Sequence, residues 1–134
     1  MPNLKTPENN CPFCAIAQGQ IILERPLALV KHDGYPLTKG HTLIIPRRHV
    51  ASFFECTAEE RQAMLELLDE AKAILDKAHA PDGYNIGLNN GAAAGQTVMH
   101  VHMHLIPRYA GDKSDPRGGV RWIFPDKAKY WTKP

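Results

Sequence analysis

Apolar and polar positions change period several times along the chain, and each change marks an expected element. Pro12 to Gln18, closed by Gly19, has the composition of a short helix. Leu27 to Lys31 reads as a strand, Asp33-Gly34-Tyr35-Pro36 supplies turn chemistry, and His41 to Ile45 reads as a second strand stopped by Pro46. Thr57-Ala58-Glu59-Glu60 has the form of a capping box and opens a long helix. In that helix Met64, Leu67, Leu68, Ala71, Ile74 and Leu75 recur at steps that make one buried stripe, and Pro81-Asp82-Gly83 ends it. Tyr84 to Leu88 is a short strand, Asn89 to Gly95 a small-residue loop, and Val98 to Arg108 the longest strand. The order strand, strand, helix, strand, strand predicts an α+β domain with a mainly antiparallel sheet, one long helix and one short one.

Composition narrows the class of protein more than its activity. With 134 residues, 43% of them apolar, and no repeat or linker, residues 1–134 are expected to form one domain. A formal charge of +2 gives no reason to expect a nucleic-acid or membrane partner. From Arg108 to Pro134, however, seven Lys and Arg face three Asp, a local net of +4 suited to attracting phosphates. The polar Met1 to Asn10 resembles no secretory signal, and no run of 18 apolar residues occurs, so the expected setting is cytoplasmic. Three cysteines, two of them in Cys11-Pro12-Phe13-Cys14, suit metal binding better than a disulfide framework. Cys56 and His79 read as structural.

The chemistry concentrates in His100-Val101-His102-Met103-His104. In an extended chain these three imidazoles share one face, while Val101, Met103 and Leu105 share the other. Periodicity leaves two functional readings open. One is a tri-histidine metal site, since neutral imidazole is a common zinc ligand. The other is a nucleophilic imidazole flanked by two that orient it and assist a leaving group. Gly95-Gln96-Thr97 just before the run offers backbone amides, a carboxamide and a hydroxyl, which suits phosphate oxygens.

The segment Ala94-Gly95-Gln96-Thr97-Val98-Met99-His100-Val101-His102-Met103-His104-Leu105-Ile106-Pro107-Arg108 resembles the signature of the histidine triad (HIT) superfamily. The likeness extends to Gly40-His41-Thr42-Leu43-Ile44-Ile45-Pro46 and to the opening Cys11-Pro12-Phe13-Cys14, and so spans residues 11–108. It implies a HIT-like fold, in a homodimer whose sheets join into one, acting on a small-molecule nucleotide. His102 would attack the α-phosphorus and form a nucleotidyl-histidine that water then hydrolyses. His104 would contact the phosphate and the departing oxygen, Gln96 would bond phosphate oxygens, and Asn89, Gly95 and Thr97 would complete that shell. Asp33 would hold the ribose hydroxyls, although an Asp-Gly turn residue is also what that position needs. His41 and His100 would flank the nucleophile, and His32 is a candidate for lining the nucleotide pocket. The transferase branch of the superfamily carries glutamine at the third histidine, so His104 points to hydrolysis.

Two further expectations follow from the resemblance. Some bacterial HIT proteins bind structural zinc through an equivalent opening, which makes Cys11, Cys14, His49 and His100 the candidate ligands of a Cys₂His₂ site. The segment Asp115-Pro116-Arg117-Gly118-Gly119-Val120-Arg121-Trp122 is similar to tails in the branch that contains Fhit and bacterial dinucleoside polyphosphate hydrolases. Residues 109–134 are then a specificity tail and residues 1–10 an N-terminal extension, with Arg117 and Arg121 candidates for distal phosphates. The expected substrates are dinucleoside polyphosphates such as diadenosine tetra- or triphosphate, cleaved to AMP. The alternatives are a Hint-type adenosine phosphoramidate and, from another class, a non-catalytic nucleotide-binding adaptor.

Overall fold

A computed structural model of the protein describes residues 10–133. The expected extension 1–10 lies outside the described residues apart from Asn10. Five strands, β1 (Ile21–Glu24), β2 (Ala28–His32), β3 (Thr42–Pro46), β4 (Gly83–Gly87) and β5 (Met103–Arg108), form one sheet in the order β1-β2-β3-β5-β4. Every neighbouring pair is antiparallel. A long helix, α1 (Ala58–His79), crosses between β3 and β4, and a short one, α2 (Pro125–Ala128), lies in the tail. The α+β architecture expected from the sequence is therefore present.

The start of α1 is fixed as its sequence demands. Glu60 N–H donates to Thr57 Oγ1 at 3.0 Å while Thr57 N–H donates to the Glu60 carboxylate at 2.8 Å, closing the capping box. Arg48, just past β3, grips the same carboxylate with two bonds of 2.9 and 3.1 Å. This guanidinium is the main reason that the Glu60 carboxyl titrates below its ordinary value. The helix is thereby docked against the end of β3, next to His49.

Met64, Leu67, Ala71 and Leu75 of α1 pack on Ala28, Val30, Ile44, Val101, Met103 and Leu105, so the main core lies between the helix and one face of the sheet. Ile74 departs from the expected stripe, with 41% exposure, because it sits about 80° around the helix from the line through Met64 and Leu75. A smaller cluster of Leu29, Leu43 and Ile45 on the opposite face is covered by Phe13, Ile16 and Ile21. Gly40 sets the entry to β3: at φ +92°, a Cβ there would come within 2.9 Å of the His79 ring and 3.0 Å of Leu75. Only glycine can bring the chain that close.

Three segments differ from the expectation. Residues 12–18 form no α-helix; Cys14 N–H donates to the Cys11 carbonyl in a tight turn, and Gln18–Gln20 make a single 3₁₀ turn. The strand β1 went unseen in the sequence because its four residues do not alternate in burial. The long strand over 98–108 is regular only from Met103. Upstream, Val101 N–H donates to the Val50 carbonyl, and His100 and His102 hydrogen-bond to or from nearby carbonyls, which takes this stretch out of the ladder. No helix among the described residues is long and apolar enough to cross a membrane.

Candidate active site

The histidines do not converge on one point. His100 is fully buried, His102 and His104 lie with ring centroids 5.3 Å apart, and His104 meets His41 at 5.1 Å. The hydrogen bonds fix which ring nitrogens donate and which accept. The carbonyl of His100 can only accept, so His102 Nδ1 carries its hydrogen and donates to that oxygen at 2.8 Å. The lone pair of His102 is then on Nε2, the nitrogen available to an electrophile.

A second chain of bonds fixes His104. Leu37 N–H donates to His41 Nδ1 at 3.0 Å, which puts the hydrogen of His41 on Nε2. That nitrogen is 2.9 Å from His104 Nδ1 and 3.3 Å from Asp33 Oδ2. His104 Nδ1 is thus an acceptor, and its Nε2 is left as a donor. The other Asp33 oxygen accepts from Tyr35 N–H at 2.8 Å, so the Asp-Gly turn is real and the carboxylate also faces the histidines. Burial, opposed by Asp33, lowers the pKa of His41. Burial also lowers that of His104, helped by the neighbouring His102 and His41.

These shifts carry a sign that can be tested. Folded His41 and His104 resist protonation at pH values where the unfolded chain, with imidazoles near 6.5, already takes up protons. The unfolded state binds more protons in that window, so stability rises with pH through it. The melting temperature is expected to be level above about pH 7 and to fall on acidification below about 6.5. A midpoint that stays constant or climbs between about pH 7 and 5.5 in thermal unfolding would contradict the buried neutral pair.

The other expected nucleotide contacts are placed less uniformly. Gln96 is buried, with its Oε1 accepting from Gly91 N–H at 2.7 Å and its Nε2 donating to the carbonyls of Ala51 and Val98 at 2.9 and 3.1 Å. Both of its amide hydrogens are used, so in this structure it pins the loop and has none left for a phosphate oxygen. The amides of Ala94, Gly95 and Gln96 likewise donate within the turn, to Gly91 and Ala92 carbonyls. Asn89, Gly95 and Thr97 are exposed, as is His32. Asn90, which the sequence did not single out, accepts from Phe53 N–H at 2.7 Å and bonds Ser52, anchoring the same loop. Its signal was only adjacency to Asn89.

Arg117 and Arg121 are engaged inside the tail. Arg117 forks onto Asp115 and stacks over Trp131 at 4.6 Å, while Arg121 donates to the carbonyls of Lys127 and Ala128 and lies over Tyr130. None of these contacts reaches the histidine cluster. The tail nevertheless gathers Lys113, Arg117, Arg121 and Lys129 on aromatic rings, so the basic residues form an ordered group.

His100 belongs to a different group from the one its place in the run suggested. Its Nε2–H donates to the Pro46 carbonyl at 2.7 Å, which leaves Nδ1 as a bare lone pair, 3.4 Å from Cys11 Sγ and 3.5 Å from Cys14 Sγ. His49 Nδ1 lies 3.1 Å from Cys14 Sγ, and all four donor atoms are within 4.8 Å of one another. Tetrahedral zinc at ordinary bond lengths would separate sulfur from nitrogen by about 3.5 Å. The donor set, the spacing and the carbonyl that fixes the His100 tautomer all fit such an ion. Burial is the leading cause of the low pKa of His100, which keeps that lone pair unprotonated.

The HIT domain family model matches residues 16–111. The adenosine 5'-monophosphoramidase hnt1 of Schizosaccharomyces pombe is 39% identical over 103 residues, 74% of each chain. Among solved structures, a zinc-bound histidine triad family protein from Mycobacterium smegmatis is 35% identical with a TM-score of 0.72, covering 81% of this chain and 82% of its own. The diadenosine triphosphate hydrolase of Plasmodium falciparum is 26% identical with a TM-score of 0.69, covering 72% of this chain and 66% of its own.

Proposed function

The chain belongs to the HIT domain family, and from that premise we propose that it is a nucleotide hydrolase that cleaves dinucleoside polyphosphates to a nucleoside monophosphate through His102. The bond from His102 Nδ1–H to the His100 carbonyl carries this reading, because it leaves Nε2 as a nucleophile beside a second oriented imidazole. Nε2 attacks the α-phosphorus, a P–N bond forms, and the bond to the bridging oxygen breaks. The Nδ1–H to carbonyl contact holds the positive ring that results. Water then attacks the same phosphorus, the P–N bond breaks, the water's proton passes to solvent, and nucleoside monophosphate leaves with His102 regenerated.

His104 Nε2–H donates a hydrogen bond to the departing oxygen. With His41 and His104 both held neutral, this is a hydrogen-bond donor more than an acid. Such a site suits a leaving group that departs as an anion, as a nucleoside di- or triphosphate does. An amine must be protonated as it leaves, which is the chemistry of a phosphoramidate. The likeness to a monophosphoramidase is the observation that favours this second reading. Asp33 is assigned to the ribose hydroxyls, and Asn89, Gly95, Thr97 and the exposed His32 to the rim of the nucleotide site. The basic tail, with Arg117 and Arg121, is assigned to the distal phosphates of a polyphosphate, which requires its guanidiniums to exchange partners. A homodimer, with sheets paired at an open edge, and a cytoplasmic setting complete the reading.

The residues Cys11, Cys14, His49 and His100 would hold zinc, which when bound supplies a structural tie and no chemistry of its own. The experiment is a parallel turnover assay of diadenosine tetraphosphate, diadenosine triphosphate and adenosine phosphoramidate. Faster turnover of the polyphosphates is expected; preference for the phosphoramidate would replace the first reading with the second.

A further inference from the structure

Phe13 lies between the two cysteines of the clamp, in the turn closed by Cys14 N–H and the Cys11 carbonyl at 3.2 Å. Its ring is tilted over the ring of His102 at 5.0 Å between centroids and stands edge-on to His100 at 6.1 Å. The same ring also packs against the cluster of Leu29, Leu43 and Ile45 on the sheet face away from α1. His102 is therefore flanked by Phe13 and by His104, in addition to the hydrogen bond from its Nδ1 to the His100 carbonyl.

A hydrogen bond at one ring nitrogen still lets the ring rock about it, and lateral packing narrows the direction of Nε2. Phe13 touches His102 and is built on the candidate metal site through its neighbours Cys11 and Cys14. We propose, resting on the assignment of His102 as the nucleophile, that Phe13 is a positioning residue that aims the His102 ring and that metal held by Cys11, Cys14, His49 and His100 sets the position of Phe13. The clamp then acts on turnover as well as on stability. Without the ion, the turn carrying Phe13 loses the bonds that would tie both of its cysteines to His49 and His100, and His102 gains rotational freedom.

The test compares Phe13→Ala and Phe13→Leu with the unaltered protein, each checked for metal content, on diadenosine tetraphosphate. Misplacement of a reacting group by about an ångström can cost on the order of 10²-fold, so Phe13→Ala is expected to lower kcat by roughly tenfold to a hundredfold with little change in KM. Phe13→Leu should recover part of the loss. Metal removal should lower kcat of the unaltered protein similarly and add little in Phe13→Ala, because both act through one contact. NMR relaxation of the labelled His102 ring should show increased motion in Phe13→Ala and in the metal-stripped protein.

A rise in KM at constant kcat would assign Phe13 to substrate contact and overturn the proposal. Losses that multiply independently would also overturn it. The ring relaxation is read without substrate, so it judges Phe13 even if turnover in His102→Ala removes the nucleophile assignment.

Discussion

Replacing His102 by alanine is expected to reduce hydrolysis by at least about 10³-fold while nucleotide binding persists. In the proposed mechanism this imidazole supplies the atom that bonds to phosphorus, and the neighbouring imidazoles are engaged otherwise. His104 Nδ1 is occupied by His41, which leaves the hydrogen of that ring on Nε2. His100 is buried with Nε2 bonded to Pro46 and Nδ1 turned to the cysteines. A rapid quench with labelled dinucleotide should trap label on the unaltered protein and none on His102→Ala. Substantial turnover by the variant, or label found on another histidine, would remove His102 from its role.

The second large effect is on stability. Protein purified without a histidine tag is expected to hold about one zinc per chain, as a single tetrahedral site requires. Its removal should cost at least about 3 kcal/mol, the linkage expected for a ligand present at 100 times its dissociation constant or more. The reason lies in what the four ligands join. Cys11 and Cys14 belong to the N-terminal turn, His49 follows β3, and His100 precedes β5. One ion would tie three segments separated by up to 89 residues, and without it two thiols and two imidazoles must be accommodated side by side, with Cys11 and His100 buried. Chelation should lower the melting temperature by several degrees, and Cys11→Ser should reproduce that loss. A metal-free protein whose melting is insensitive to chelator would remove the ion from the account.

Much of this was legible in the chain by itself. Thr57 and Glu60 fix the start of α1 through a local exchange of hydrogen bonds, so four residues suffice to read it. The stripe through Met64, Leu67, Ala71 and Leu75 and the alternation over Met103 to Arg108 reflect periods of helix and strand, which are also local. The motif around His102 identified the family because its residue types and spacing are specific. The four candidate metal ligands came from that resemblance, and the structure brings all four together.

What tertiary structure decided depends on partners far apart in the chain. Gln96 turns inward because the Ala51 carbonyl, 45 residues away, takes one of its hydrogens. The His100 ring meets Cys11 and the Pro46 carbonyl, 89 and 54 residues away, and the strand expected from Val98 starts only at Met103, with Val101 N–H given to the Val50 carbonyl. The tautomers of His41 and His104 are set by Leu37 N–H and a contact across 63 residues. Sequence period determines which side of a strand a residue takes. It cannot say which distant donor or acceptor meets that residue, and in this protein those meetings decide which imidazole nitrogen is free to react.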